Sequence, residues 1–339
     1  MAMESHFRYV HRVRVRLAGM AAMALAALLP VHAAAADDIE QNFDRTFGTD
    51  IRAPRVYASS FEAQIAALSD ASQGRIGVAA LDLATGKSVA VLGHQLFPLA
   101  STSKIAIAAT FLDGVDRGIF RLEDQFPLMV PLPSRKFEGS VAPVRAGEML
   151  SAQSLIELAI TRSDNQATDA LLAAVGGPQA VNRWLARAGV NDFRIDRDIA
   201  TLVRDDGAVD PATTIDSRDA ATPIAMVRLL TGLHKGQFLA AESRTYLLQV
   251  MERTVTGTRR IKAGLPEYAR LAHKTGSLSN TSSDVGIVHL PDGRAVALAI
   301  YVTGQGGKLD REARIAAIAR ALYEGYQTQS VGRLVSASR

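Results

Sequence analysis

Three short runs, Ser101-Thr102-Ser103-Lys104, Ser163-Asp164-Asn165 and Lys274-Thr275-Gly276, combine residue types that could supply a nucleophile, its proton handlers and an anion clamp. A serine hydroxyl is a poor nucleophile at neutral pH and needs a base within hydrogen-bond reach. The chain has no Gly-x-Ser-x-Gly elbow, and the histidines beyond residue 36 (His94, His234, His273, His289) show no spacing for a histidine-based triad or a metal site. Lysine is the base left over, because its pKa falls when it is buried or set beside another cation. Lys104 and Lys274 could depress each other in this way. Lys104 follows Ser101 by three residues, so the two share one face of a helix. A lone Ser-x-x-Lys is commonplace; the ordered trio, with 62 residues from Ser101 to Ser163 and 111 from Ser163 to Lys274, carries the specificity.

The elements around these runs say how they are positioned. Ile105 to Leu112 is apolar on almost every face, which predicts a helix in the centre of a domain. Ser101 then sits at its N-terminus, where free N–H groups and the dipole favour developing negative charge. The apolar, β-branched segments Ile76 to Leu83 and Ser88 to Leu92 flank Thr85-Gly86 as a hairpin, and Val285 to Leu290 with Ala295 to Val302 repeat the design around Pro291-Asp292-Gly293. Isolated hairpins are unstable in water, so the strands from the two ends should pair in one antiparallel sheet.

Between them nearly everything reads as helix: Ser154 to Ile160, Gln166 to Val175 ending at Gly176-Gly177, a helix opened by Pro178, another by Thr222-Pro223, and Ser243 to Arg253. Arg311 to Tyr326 forms a last amphipathic helix, and Asp192 to Asp219 reads as a long polar loop. The expected class is α/β of the α+β type. A sheet lobe takes residues about 55–98 and 255–326, an all-helical lobe about 99–254, and 327–339 a disordered tail.

The start of the 339-residue chain reads as a secretory leader: Arg8, Arg12, Arg14 and Arg16, an apolar run of 13 residues from Leu17 to Leu29, then small residues up to Ala36. That run is shorter than the roughly 20 residues of a membrane-spanning helix. The leader holds four arginines and one glutamate, so its removal takes the net charge from +4 to +1. Such a balance gives no ground for nucleic-acid or membrane-surface binding. The absence of cysteine excludes disulfides, a thiolate nucleophile and the acylated cysteine of a lipoprotein. A periplasmic or secreted monomer, without a stable membrane span after processing, is expected.

Phe97 to Lys104, the Ser-Asp-Asn run and the Lys-Thr-Gly run resemble the class A β-lactamases and their penicillin-binding relatives. The similarity extends from about Ser60 to Tyr326, and includes Arg218-Asp219-Ala220-Ala221-Thr222-Pro223 and Thr256-Gly257-Thr258-Arg259-Arg260-Ile261. The resemblance implies that Ser101 attacks the β-lactam carbonyl, with the N–H groups of Ser101 and Ser277 as oxyanion hole. Lys104 accepts or relays the proton, and Ser163 passes it towards the leaving nitrogen. It further implies that Asn165 holds Lys104 and the substrate's side-chain amide. Lys274, Thr275 and Ser277 clamp the substrate carboxylate, and Arg260 corresponds to a second carboxylate-directed arginine. No metal or organic cofactor is implied.

One position departs from the family. Its Ω loop falls on Arg194 to Ile199, and the general-base glutamate falls on Ile199; no Glu occurs between Glu157 and Glu242. That glutamate activates the water that hydrolyses the acyl-enzyme, and isoleucine cannot accept a proton. Asp198, Asp205, Asp206 and Asp210 are the candidate substitutes, while Arg197 and Asp219 match the ion pair at the loop's neck. The resemblance therefore implies a β-lactam hydrolase with slow deacylation. The alternatives are a D-alanyl-D-alanine peptidase acting on cell-wall peptides and a penicillin-binding sensor.

Overall fold

A computed structural model describes residues 59–337 of the chain. The expected leader, residues 1–36, lies outside the described residues.

The chain enters through α1 (Ser60–Leu68), then β1 (Gly74–Asp82) and β2 (Ser88–Val91). It returns at its other end as β8 (Leu271–Leu278), β9 (Thr281–His289) and β10 (Ala295–Gly304). These form one antiparallel sheet in the order β2-β1-β10-β9-β8, with Val78 opposite Ile300 and Thr275 opposite Asp284. The expected pairing of the two chain ends is what the structure contains.

β10 is buried along its whole length, and its two-residue period separates two cores. Val296, Leu298, Ile300 and Val302 pack with Ile76 and Val78 against Ile315, Ile318 and Leu322 of α9 (Lys308–Ala337). Ala295, Ala297, Ala299 and Tyr301 face the helical lobe. A strand covered on both faces reads as a continuous apolar run, and each fully buried aliphatic side chain stabilises by about 1.5–3 kcal/mol.

In the helical lobe, a 3-10 turn at Ala100–Ser103 runs into α2 (Lys104–Asp116), whose residues Lys104 to Leu112 are all buried. Around it stand α3 (Ala152–Glu157), α4 (Asn165–Val175) and α5 (Pro178–Arg187). Asp164 caps α4 by accepting Ala167 N–H at 2.8 Å, and Gly176 closes it at φ 97°. After α6 (Ile199–Arg204) come α7 (Pro223–Lys235), capped by Thr222, and α8 (Ala241–Glu252).

Three segments depart from the sequence expectation, and one is the expected tail, where residues 327–337 continue the helix that begins at Lys308. The lobe is not all helix: β4 (Gln125–Pro131) pairs with β5 (Val144–Ser151) as a hairpin, with a register shift between Pro127 and Met129. Pro127 and Pro131 each lack an N–H and break a helix here. The expected loop from Asp192 to Asp219 contains α6 and β6 (Phe193–Arg194), and β6 joins β7 (Ala220–Ala221), just past the loop, and β3 (Phe97–Pro98) in a small sheet. Six residues are too few for periodicity to declare a helix. Tertiary contacts hold it instead.

Candidate active site

The site lies where the 3-10 turn of the helical lobe meets β8, the edge strand of the sheet. Gly276 makes that approach possible. A Cβ there would stand 2.8 Å from Leu99 O and 3.1 Å from Ala100 Cβ, so only glycine lets β8 lie against the turn that carries Ser101. Ala100 has φ 47° and Ser163 φ 60°. Left-handed backbone at a non-glycine residue costs about 1–3 kcal/mol, and here it flanks Ser101 and forms the corner between the helices.

Lys104 is the hub. Its Nζ donates to Ser163 O at 2.7 Å, Asn165 Oδ1 at 2.7 Å and Asp164 O at 3.2 Å, and lies 3.4 Å from Ser163 Oγ. The contacts bring together Lys104, Ser163 and Asn165, 59 to 61 residues apart in sequence. Burial pulls the Lys104 ammonium down to about 7, against the opposing charges of Asp164 and Asp169. A lysine so placed exchanges a proton near neutrality.

Lys274 is wholly buried, and desolvation, followed by the charge of Lys104, holds its pKa well below the ordinary lysine range. Its Nζ donates to Thr275 O at 2.9 Å. Thr275 Oγ1 pairs with Thr256 Oγ1 at 2.7 Å, and Ser277 is exposed in the cleft.

Arg260 lies behind this strand, only 3% exposed. It donates to Gly276 O at 2.7 Å, Ser283 O at 2.8 Å and Ser277 Oγ at 2.6 Å, with Glu312 as its counter-charge at 3.1 Å. Its reach to a ligand therefore passes through Ser277. His273 is buried and paired with buried Asp284 at 2.9 Å.

The Ω loop is pinned by the ion pair that the resemblance implies. Arg197 Nε meets Asp219 Oδ2 at 2.6 Å, and Asp219 also accepts the N–H groups of Asp196 and Arg197. Ile199 begins α6 and is buried. Its N–H and that of Ala200 donate to the two oxygens of Asp169, at 2.7 and 2.8 Å. Burial raises Asp169 to about 6, while those N–H groups and Lys104 pull the other way. The sequence reading missed Asp169. Its signal is its place one helical turn beyond Asn165.

Each candidate substitute base is engaged elsewhere. Asp198 caps α6 through Thr201 N–H at 2.7 Å. Asp205 pairs with Arg204 at 2.7 Å and accepts Phe137 N–H at 3.1 Å. The hydrogen bond from Arg204 holds its pKa at about 2, too acidic for an effective base. Asp206 accepts Ser279 N–H at 2.9 Å, and Asp210 accepts from Asn280 Nδ2 at 2.7 Å. Among the described residues no group of three or more His, Cys, Asp or Glu is placed to hold a metal ion.

Over residues 60–326 the chain matches the β-lactamase enzyme family. It is 31% identical over 277 residues to the β-lactamase CTX-M-8 of Citrobacter amalonaticus, across 79% of this chain and 90% of that one. To the β-lactamase Toho-1 of Escherichia coli it is 30% identical over 275 residues, with coverage of 79% and 90%. Among solved structures it is similar to a β-lactamase from Chitinophaga pinensis, with TM-score 0.68, 28% identity, and 79% of this chain and 100% of that one covered. It is also similar to the class A β-lactamase of the last common ancestor of Gram-negative bacteria, with TM-score 0.67, 34% identity and coverage of 79% and 100%.

Proposed function

The chain belongs to the β-lactamase enzyme family, and from that premise we propose that it is a serine hydrolase of class A type that opens β-lactams through an acyl-enzyme at Ser101. The observation that carries this reading is the buried Lys104, bonded to Ser163 and Asn165 one helical turn from Ser101.

The neutral amine of Lys104 takes the Ser101 proton as Oγ attacks the lactam carbonyl. Ser163 then carries a proton to the departing nitrogen. The N–H groups of Ser101 and Ser277 face the oxyanion. Lys274, Thr275 and Ser277 bind the substrate carboxylate, with Arg260 orienting the Ser277 hydroxyl, and Asn165 receives the side-chain amide.

Acylation requires neutral Lys104, so kcat/KM should rise with pH through an apparent pKa near 7 and level off above it. A stopped-flow acylation series between pH 5 and 9 checks this; a rate that falls over that range excludes Lys104 as the base.

Deacylation is the slow step in this proposal. Ile199 cannot activate water, and the contacts of Asp198, Asp205, Asp206 and Asp210 argue against any of them as replacement. The same apolar position favours one second reading, a D-alanyl-D-alanine peptidase or penicillin-binding sensor that keeps its adduct.

Intact mass and ring opening, followed together after mixing with a penicillin, separate the two. An adduct that decays while several equivalents of product accumulate supports the hydrolase. One equivalent consumed with a lasting adduct supports the second reading, and no adduct defeats both. Export by the residue 1–36 leader, a monomeric state and a part in β-lactam resistance complete the proposal. No described helix is long and apolar enough to cross a membrane.

A further inference from the structure

We infer that Asp206 is a specificity-determining residue: by occupying the edge of β8 beyond Ser277, it restricts the site to compact β-lactams and excludes long acyl or peptidyl chains laid along that strand. The inference rests on the β-lactam reading of the site.

β8 is the last strand of its sheet, so its outer edge is free to pair with an extended ligand. Leu278 and Thr281 close a two-residue turn onto β9. Leu278 and Gly276 accordingly point their backbone groups at β9, and Ser277 points its own outwards. Ser279 follows two residues on, in the turn itself, where its N–H faces Asp206. With the ligand carboxylate at Lys274 and Thr275 and its reacting carbonyl at Ser277, the acyl side chain runs on towards Ser279. A chain adding to β8 as a strand would need the Ser279 N–H next.

That donor is already taken. Both oxygens of Asp206 lie 2.9 Å from Ser279 N. The residue is held there from both lobes. Lys136 Nζ donates to Asp206 O. Arg204 ties the same stretch of Ω loop to Glu138 O at 2.8 Å and Gly139 O at 3.1 Å. On the sheet side, Asp210 accepts from Asn280 one residue beyond Ser279. The result is a strap from the β4–β5 connection, across the Ω loop, to the β8–β9 turn, with Asp206 at its crossing of the strand edge.

The test compares wild type, Asp206→Ala and Asp206→Asn by second-order acylation rate, which is independent of deacylation. The ligands are a penicillin with a benzyl side chain, a cephalosporin with a bulky oxyimino side chain, and an acylated D-alanyl-D-alanine peptide. In Asp206→Ala the rate with the bulky cephalosporin or the peptide, relative to the benzyl penicillin, should rise by about tenfold or more. Asp206→Asn keeps an oxygen for Ser279 N–H and should stay close to wild type. Ratios within about twofold of wild type in Asp206→Ala, or an equal rise in both variants, overturn the inference. Failure of wild type to react with the benzyl penicillin overturns the reading of the site itself, and this inference with it.

Discussion

Ser101→Ala should abolish covalent labelling by a penicillin and lower ring opening by about 10⁴- to 10⁶-fold, because the variant has no atom that can form the acyl bond. The change removes one oxygen from a half-buried position in the 3-10 turn. The backbone bonds there, from Thr102 N–H to Leu99 O at 3.0 Å and from Lys104 N–H to Ser101 O, need no side chain. Stability should therefore move by less than about 1 kcal/mol, as expected for a substitution that leaves no cavity and no buried charge unpaired. Intact-mass labelling and a thermal melt on the same sample separate loss of the nucleophile from loss of the fold. An adduct of undiminished yield in the variant would show that another residue is acylated.

Ile199→Glu should accelerate deacylation by about 10²- to 10⁴-fold, the range for a positioned general base. The helix start at Ile199 favours a negative charge. Asp169, which accepts the Ile199 N–H, and the capping Asp198 repel one. Their repulsion raises the new carboxyl's pKa towards neutrality, where a base acts best.

The exchange of a buried isoleucine for a carboxylate also costs roughly 2–4 kcal/mol of stability. Ile199→Gln is the control, similar in size and unable to accept the proton. Decay of the acyl-enzyme mass gives the rate. Equal rates in the two variants would mean that the path of the loop, rather than the lack of a base, limits hydrolysis.

The readable part of the site was the part set by local chemistry. Ser101 and Lys104 lie within one helical turn, and the apolar run behind them required a buried helix, so their relation was present in the chain itself. The long strand β10 was legible for a similar reason, since burial on both faces demands apolar residues throughout. The helix starts at Thr222-Pro223 and at Pro178, and the stop at Gly176, also followed from residue type.

The less legible part depended on partners distant in sequence. Asp169 reads as one more helix residue until α6 places two N–H groups on its carboxylate. Arg260 looked like a ligand-facing charge, yet Glu312, 52 residues away, and the carbonyls of Gly276 and Ser283 draw it behind the strand. The four Ω-loop aspartates were indistinguishable as residue types. Their assignment to Thr201, Arg204, Ser279 and Asn280 is a matter of which donor the folded chain brings near each one.

The sequence by itself determined the Ser-x-x-Lys spacing, the apolar strands of the sheet and the isoleucine at position 199, because these depend on residue type and short-range order. Tertiary structure alone decided the desolvation that brings Lys104 to about 7, the close seat of β8 on the Ser101 turn, and the acidic strap over its edge. Each of these depends on distances between segments that only packing fixes.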